Sequence, residues 1–102
     1  MRLHKFNIIN MVLMLSIPYI HASELNIAVA SNFATTAKQL AQIYHQTTGN
    51  NVVISSASTG TLYNQIKNGA PFAVLLSADT TTTAKLIADN LVIESSNYTY
   101  AT

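Results

Sequence analysis

Short apolar runs alternate with segments of helical periodicity along most of the chain. Residues 25–30 form a short apolar run with β-branched residues, which is typical of a buried strand, and residues 52–56 and 72–76 are predicted to form a second and a third strand. Between these runs, apolar residues recur three or four positions apart, which is the spacing of one helix face. The pattern therefore predicts a chain in which three strands alternate with three helices.

The helix boundaries follow from residues that start or stop helices. Gly49 is expected to end the first helix, and Pro71 prevents the second from continuing. Asp79, followed by four threonines, is expected to cap the third helix. The apolar residues of the three helices are, in order, Phe33, Ala37, Leu40, Ala41 and Tyr44; Leu62 and Ile66; and Ala84, Ile87, Ala88 and Leu91. Residues 91–93 are consistent with either a further short strand or the packing end of the third helix.

Strands joined by helices of this length pair in parallel through right-handed crossovers. The predicted fold class is therefore α/β, a three-layer arrangement in which helices cover a parallel sheet. In such sheets, ligands bind beyond the carboxyl ends of the strands.

The first 22 residues differ from the rest and resemble a secretory signal peptide. The basic residues Arg2 and Lys5 precede an apolar stretch from about residue 8 to residue 20, and the small residues Ala22 and Ser23 follow. The apolar stretch is short for a membrane span, which disfavours the alternative of an uncleaved N-terminal anchor. We therefore expect residues 1–22 to be a signal peptide, residues 23–102 to form the domain, and the product to be periplasmic.

Composition narrows the function of residues 23–102. These residues number about 80, near the lower limit for a self-sufficient core, and contain no cysteine to form a stabilising disulfide. They contain three lysines and four acidic residues, a net charge of −1. Without a basic patch, binding to nucleic acid is not expected.

Two turns rich in hydroxyl groups carry the candidate chemistry. Ser31 and Asn32 follow the first strand, and Ser58 and Thr59 precede Gly60 after the second strand. Side-chain hydroxyls and the free N–H groups of a helix start can together bind an anion without a lysine or arginine. The alternative for each turn is a helix cap, a role that serine, threonine and asparagine also fill. The combination of two such turns on neighbouring strands favours a ligand site.

The same residues argue against catalysis and against a cation site. His45, the one histidine after residue 22, falls late in the first helix, so no base is expected near either serine. Asp79 is expected to cap a helix, because its charge would repel an anion. The sequence has no cluster of carboxylates and imidazoles for a metal cation. Neither hydroxyl-rich turn contains a carboxylate to accept a proton, which favours a fully deprotonated oxyanion as ligand.

With these motifs in view, the chain resembles the periplasmic molybdate-binding proteins that serve ABC importers. The resemblance is carried by residues 28–33 (AVASNF), 55–60 (SSASTG), 62–66 (LYNQI), 68–72 (NGAPF) and 75–79 (LLSAD). It implies part of the first lobe of a type II periplasmic-binding-protein clamshell. It also implies a monomer that binds molybdate or tungstate, uses no cofactor, performs no enzymatic reaction and delivers its ligand to a membrane permease.

Residue roles also follow from the resemblance. Family members contact the oxyanion through the serine after the first strand, which corresponds to Ser31 with Asn32 beside it. A second contact corresponds to Thr59 or Ser58, and further contacts, including a tyrosine, come from a second lobe. Family members are more than twice as long as residues 23–102, so the chain is expected to be an N-terminal part of the molybdate-binding lobe, with the second lobe absent. The alternatives are a truncated remnant that does not bind and a binding protein for another small oxyanion.

Overall fold

The computed structural model describes residues 24–102, so the predicted signal peptide lies outside the described residues. Three strands and three α-helices alternate in this part of the chain, as the sequence pattern predicts. They are β1 (Glu24–Ala30), α1 (Ala34–Thr48), β2 (Asn51–Ala57), α2 (Thr59–Lys67), β3 (Val74–Leu76) and α3 (Thr80–Ala88), with 3-10 turns at Ser31–Phe33 and Glu94–Ser96. Within residues 24–102, no helix has both the length and the apolar character needed to cross a membrane.

The three strands form a parallel sheet in the order β2-β1-β3. The chain moves from β1 to β2 on one side and then returns past β1 to reach β3 on the other. Right-handed crossovers in opposite directions place α1 and α2 on opposite faces of the sheet. The α/β fold class predicted from the sequence is confirmed.

The C-terminal end of β1 lies at the centre of the core. Ala28, Val29 and Ala30 are all buried, although successive residues of a strand point to opposite faces. Burial of three consecutive positions therefore requires cover on both faces, which is the three-layer arrangement. Leu62 of α2 and Leu86 of α3 are the other large side chains that are fully buried among the described residues.

Each helix ends at a residue with a left-handed backbone conformation. Gly49 has a φ of 78° and terminates α1, as its position in the sequence predicts. After α2, Gly69 has a φ of 92°, and the Ala70 N–H donates to the Gln65 carbonyl at 2.9 Å. After α3, Asn90 takes the same role with a φ of 56°, since asparagine adopts this conformation more readily than most residues.

Two expectations for the C-terminal third of the chain were wrong. Residues 91–93 form neither a strand nor the end of α3, because the positive φ at Asn90 turns the chain away immediately after the helix. The buried face of α3 contains Thr82 and Leu86, whereas Ala84 and Ala88 are exposed. Because Asp79 is the helix cap, the third and seventh residues after it, Thr82 and Leu86, face the core. The core is therefore filled by the larger leucine side chain and not by the alanines.

The predicted apolar face of α1 is only partly covered. Ala37 is buried, but Leu40 and Tyr44 keep 55% and 43% of their surface exposed, and Ile43, outside the predicted face, is 57% exposed. The helix therefore contacts the sheet mainly through its small residues.

Leu62 is buried and Leu40 is exposed. Replacing each by alanine therefore tests which leucine stabilises the fold through packing in the core. We expect Leu62→Ala to lower the free energy of unfolding by about 2–5 kcal/mol, because the side chain is 1% exposed and its removal leaves a cavity. The matched control Leu40→Ala, on an exposed helix face, should change it by less than about 0.5 kcal/mol. Urea denaturation followed by circular dichroism measures both. Equal losses would contradict the assignment of the core.

Candidate functional site

The carboxyl ends of all three strands lie at one edge of the sheet. Ala30 at the end of β1 is opposite Ala57 at the end of β2, and Leu76 at the end of β3 is opposite Val29. Neighbouring strands are about 4.8 Å apart. The residues that follow the strands are consequently neighbours, as the sequence predicts for the two hydroxyl-rich turns.

The turn after β1 presents two exposed polar side chains. Ser31 and Asn32 belong to a 3-10 turn, and neither side chain makes a hydrogen bond to another described residue. The residue preceding α1 is Phe33, which supplies no side-chain cap. The capping alternative is therefore wrong for this turn, and both side chains are available to a ligand.

The turn after β2 does contain a helix cap. The Ser58 hydroxyl accepts a hydrogen bond from the Thr61 N–H at 3.2 Å, and the two hydroxyl oxygens are 2.8 Å apart. The capping alternative is thus correct for Ser58. The Ser58 hydroxyl donates its proton to the Thr61 hydroxyl, whose own proton is not used in this bond. The pair therefore retains one hydroxyl donor for a ligand.

Thr59, the first residue of α2, is held differently. Its Oγ1 accepts a hydrogen bond from the Ala78 N–H at 3.3 Å, which leaves its own hydroxyl proton to donate. The N–H groups of Thr59 and Gly60 lie in the first turn of the helix, where no intrahelical acceptor exists. A Cβ atom added at Gly60 would meet no other atom within 4 Å, so the space beside this backbone is open.

The loop between β3 and α3, residues 77–79, reaches the same edge. The Ser77 hydroxyl donates to the Asp79 carbonyl at 2.7 Å and accepts from the Asp79 N–H at 3.2 Å. The Asp79 carboxylate accepts from the Thr82 N–H at 2.8 Å, so its predicted role as a helix cap is confirmed. The Thr82 N–H, with a smaller contribution from the Thr82 hydroxyl, also holds the pKa of Asp79 below its usual value.

Tyr100 contacts this edge in a way that the sequence pattern did not indicate. Its hydroxyl donates to the Ser77 carbonyl at 3.4 Å, and its ring packs edge-to-face on Phe33 with centroids 5.1 Å apart. The neighbouring Tyr98, by contrast, is 80% exposed. No periodicity marks Tyr100, because it follows α3 in a segment without regular structure.

Two open grooves on the surface of the described residues lie away from the carboxyl ends of the strands. A groove of about 470 Å³ runs along α2, and another of about 330 Å³ lies between α1 and β2. The α2 groove is lined by Thr61, Asn64, Gln65, Asn68, Gly69 and Ala70. Its lining residues extend along α2 to the turn after the helix, whereas the hydroxyl-rich turns meet at one edge of the sheet, which favours that edge as the site.

Other candidate chemistry is not assembled in residues 24–102. His45 lies in the last turn of α1, with its Nδ1 atom 3.1 Å from the Asn50 carbonyl oxygen. Among the described residues, no group of three or more histidine, cysteine or acidic side chains is placed to hold a metal ion.

The fold and this edge define a class of protein: a parallel α/β lobe that presents uncharged donors at the carboxyl ends of its strands. Residues 25–102 match the family described as bacterial extracellular solute-binding protein. The chain belongs to this family.

Individual relatives agree with this assignment. The chain is 44% identical over 80 residues to the molybdate-binding protein ModA of Azotobacter vinelandii and 38% identical over 80 residues to ModA of Rhodobacter capsulatus. Each alignment covers 78% of this chain and 32% of the relative, so the chain spans about a third of the length of these curated relatives.

Solved structures show the same likeness. The periplasmic molybdate-binding protein of Azotobacter vinelandii superposes with a TM-score of 0.63 at 45% identity, over 65% of this chain and 29% of that one. A substrate-binding domain from Clostridium difficile superposes with a TM-score of 0.67 at 24% identity, over 74% of this chain and 33% of that one, and supports the fold alone. The resemblance stated from the sequence motifs is confirmed.

The depressed pKa of Asp79 predicts how its cap responds to pH. Because the folded pKa lies below the unfolded one, the ionised carboxylate stabilises the fold above the unfolded pKa, and this stabilisation is lost as the pH falls through the folded pKa. Asp79→Asn keeps a capping side chain without the charge. We expect the difference in urea midpoint between wild type and Asp79→Asn to be largest above about pH 5 and to narrow below about pH 4. A difference that does not vary with pH would contradict this role for the charge.

Proposed function

We propose that residues 23–102 form part of the lobe of a periplasmic solute-binding protein that captures molybdate or tungstate for an ABC importer. The observation that carries the proposal is the register of β1 and β2, which makes the turns at Ser31 and Ser58 neighbours. The relatives are named for binding molybdate, which is the kind of ion that such a site suits.

The donors proposed for the ion are uncharged. Hydrogen bonds from neutral groups to a charged acceptor contribute about 1.5–3 kcal/mol each, so a few of them offset much of the cost of desolvating an oxyanion. The start of α2 adds the favourable potential of a helix N-terminus. Asp79 is the acidic residue in the loop of residues 77–79. One of its carboxylate oxygens accepts a hydrogen bond from the Thr82 N–H at the start of α3.

Each proposed ligand residue has a distinct role. Ser31 and Asn32 contribute exposed side chains from the turn after β1. Thr59 contributes its hydroxyl proton together with its backbone N–H. Ser58 shapes the helix start as its cap and shares with Thr61 one remaining hydroxyl proton.

The proposed activity is reversible capture, not a chemical reaction. The relatives are named as binding proteins, and none of the proposed donors among the described residues contacts a histidine or carboxylate that would act as a general base. The partners proposed for the whole protein are the oxyanion and a membrane permease. The protein itself is proposed to act as a monomer, without nucleic acid or a cofactor.

Export is proposed from the basic and apolar segments of residues 1–22. We expect cleavage near Ser23, because the small residues Ala22 and Ser23 follow the apolar stretch. Intact-mass spectrometry of a periplasmic extract should detect a chain beginning close to this residue. Recovery of the chain with its original Met1 in the membrane fraction would contradict cleavage.

The polypeptide 23–102 is expected to bind molybdate only weakly. The described residues present donors from one side of a tetrahedral ion and leave the other side hydrated. If two charge-assisted hydrogen bonds are absent, at about 1.5–3 kcal/mol each, affinity falls by about a hundredfold or more relative to an enclosed site. Isothermal titration with molybdate, tungstate and sulfate measures this. Tight, stoichiometric binding would contradict the expected weakness, and equal responses to all three ions would contradict the proposed selectivity.

Alanine variants test which residues contact the ion. We expect Ser31→Ala and Thr59→Ala each to abolish the molybdate-dependent signal, because each removes a hydroxyl donor at the strand edge. His45→Ala is the control, since this residue lies in the last turn of α1. Loss of the signal in His45→Ala, or its retention in both hydroxyl variants, would refute the assigned site.

A further inference from the structure

The two turns proposed to hold the ion follow different strands, and both are connected to a third segment. Among the described residues, no hydrogen bond is recorded between the side chains of Ser31 or Asn32 and those of Ser58 or Thr59. The loop of residues 77–79 nevertheless contacts the turn at Thr59 directly and reaches the turn after β1 through one aromatic residue. This loop therefore adds a second connection between the two turns, besides the pairing of β1 with β2.

On one side, the Ala78 N–H donates to Thr59 Oγ1 at 3.3 Å. On the other side, the Tyr100 hydroxyl donates to the Ser77 carbonyl at 3.4 Å, and the Tyr100 ring packs on Phe33 at 5.1 Å and 68°. Phe33 is the last residue of the 3-10 turn that begins at Ser31. A continuous series of contacts thus joins the two proposed binding turns.

We infer that Tyr100 is a positioning residue, which fixes the Ser31–Phe33 turn relative to the loop of residues 77–79 and so prepares the site for its ion. The role in ion binding rests on the proposed function, whereas the contacts of Tyr100 are independent of it. Tyr100 acts through Phe33 and Ser77 and touches no ligand in this role.

Three observations favour Tyr100 as the positioning residue. It makes two separate contacts, one polar and one aromatic, with segments that follow two different strands. Its exposure is 39%, against 80% for the neighbouring Tyr98. The Ser77 hydroxyl bonds to both backbone groups of Asp79, so the loop that Tyr100 contacts is itself held in one conformation. A donor held in place before binding loses less conformational entropy when the ion arrives.

Amide resonances of the full ¹⁵N-labelled chain without ligand test the inference. We expect Tyr100→Ala to shift the amides of Ser31, Asn32 and Phe33, while the Leu86 amide in the core keeps its protection from hydrogen exchange. Tyr100→Phe keeps the ring and should restore the amides of the Ser31–Phe33 turn, leaving a shift at Ala78, whose N–H adjoins the Ser77 carbonyl. The matched control, Tyr98→Ala, should change none of them.

Two results would overturn the inference. One is a Tyr100→Ala spectrum in which the Ser31–Phe33 amides move no more than they do in Tyr98→Ala. The other is a loss of hydrogen-exchange protection at Leu86. Tyr100 would then stabilise the whole fold rather than one turn. If Tyr100→Ala does not fold, the amide shifts of the Ser31–Phe33 turn are measured in Tyr100→Leu, which also removes the aromatic ring and the hydroxyl. The same two criteria then apply.

A molybdate titration of the wild-type chain separates this inference from the proposed function. If molybdate shifts the amides of Ser31 and Thr59, their displacement at a fixed molybdate concentration should fall about threefold or more in Tyr100→Ala and recover in Tyr100→Phe. If molybdate shifts nothing in the wild type, the proposed function fails. The ligand-free spectra still decide whether Tyr100 positions the turn.

Discussion

Parallel pairing of β1 with β2 is the constraint on which the rest of the structure depends. A pairing that aligns Ala30 with Ala57 ends both strands together, and it also buries Ala28, Val29 and Ala30 between two layers of helices. Side chains alternate along a strand with a period of two. A slip of one residue would therefore send β2's inward-facing residues outward and separate the turns at Ser31 and Ser58. The packing of the core and the geometry of the candidate site are consequences of the same register.

Sequence reasoning identified the features set by local chemistry and by strand order. The alternation of strands and helices, the helix stop at Gly49 and the cap at Asp79 all depend on residues within one turn of the feature. The proximity of the turns followed from the crossover rule. Features that depend on packing between distant segments were missed. The choice of Leu86 for the core and the contact of Tyr100 with Phe33 are examples, since competing side chains of similar character decide them in three dimensions.

Hydrogen bonding distinguishes residues that the sequence left equivalent. Ser58 and Thr59 are adjacent hydroxyl residues, and either was an acceptable ligand. Ser58 completes the start of α2, whereas Thr59 accepts the Ala78 N–H and retains its own proton. An oxyanion accepts hydrogen bonds and donates none, so a hydroxyl that already accepts one hydrogen bond still has the proton that such a ligand requires. The extra methyl group of threonine, compared with serine, restricts the rotation of this hydroxyl.

A site made of neutral donors depends on orientation more than a site made of charges does. A lysine or arginine attracts an anion over several ångströms, but a hydroxyl or an amide contributes only when its proton points at the acceptor. Exposed turns such as Ser31–Phe33, with no side-chain hydrogen bond of their own among the described residues, obtain their orientation from neighbours. In this chain those neighbours are the Tyr100 ring, which packs on Phe33, and the β3–α3 loop, whose Ser77 carbonyl accepts from the Tyr100 hydroxyl. Under the proposed function, the donors are therefore oriented by segments that follow all three strands of the described sheet.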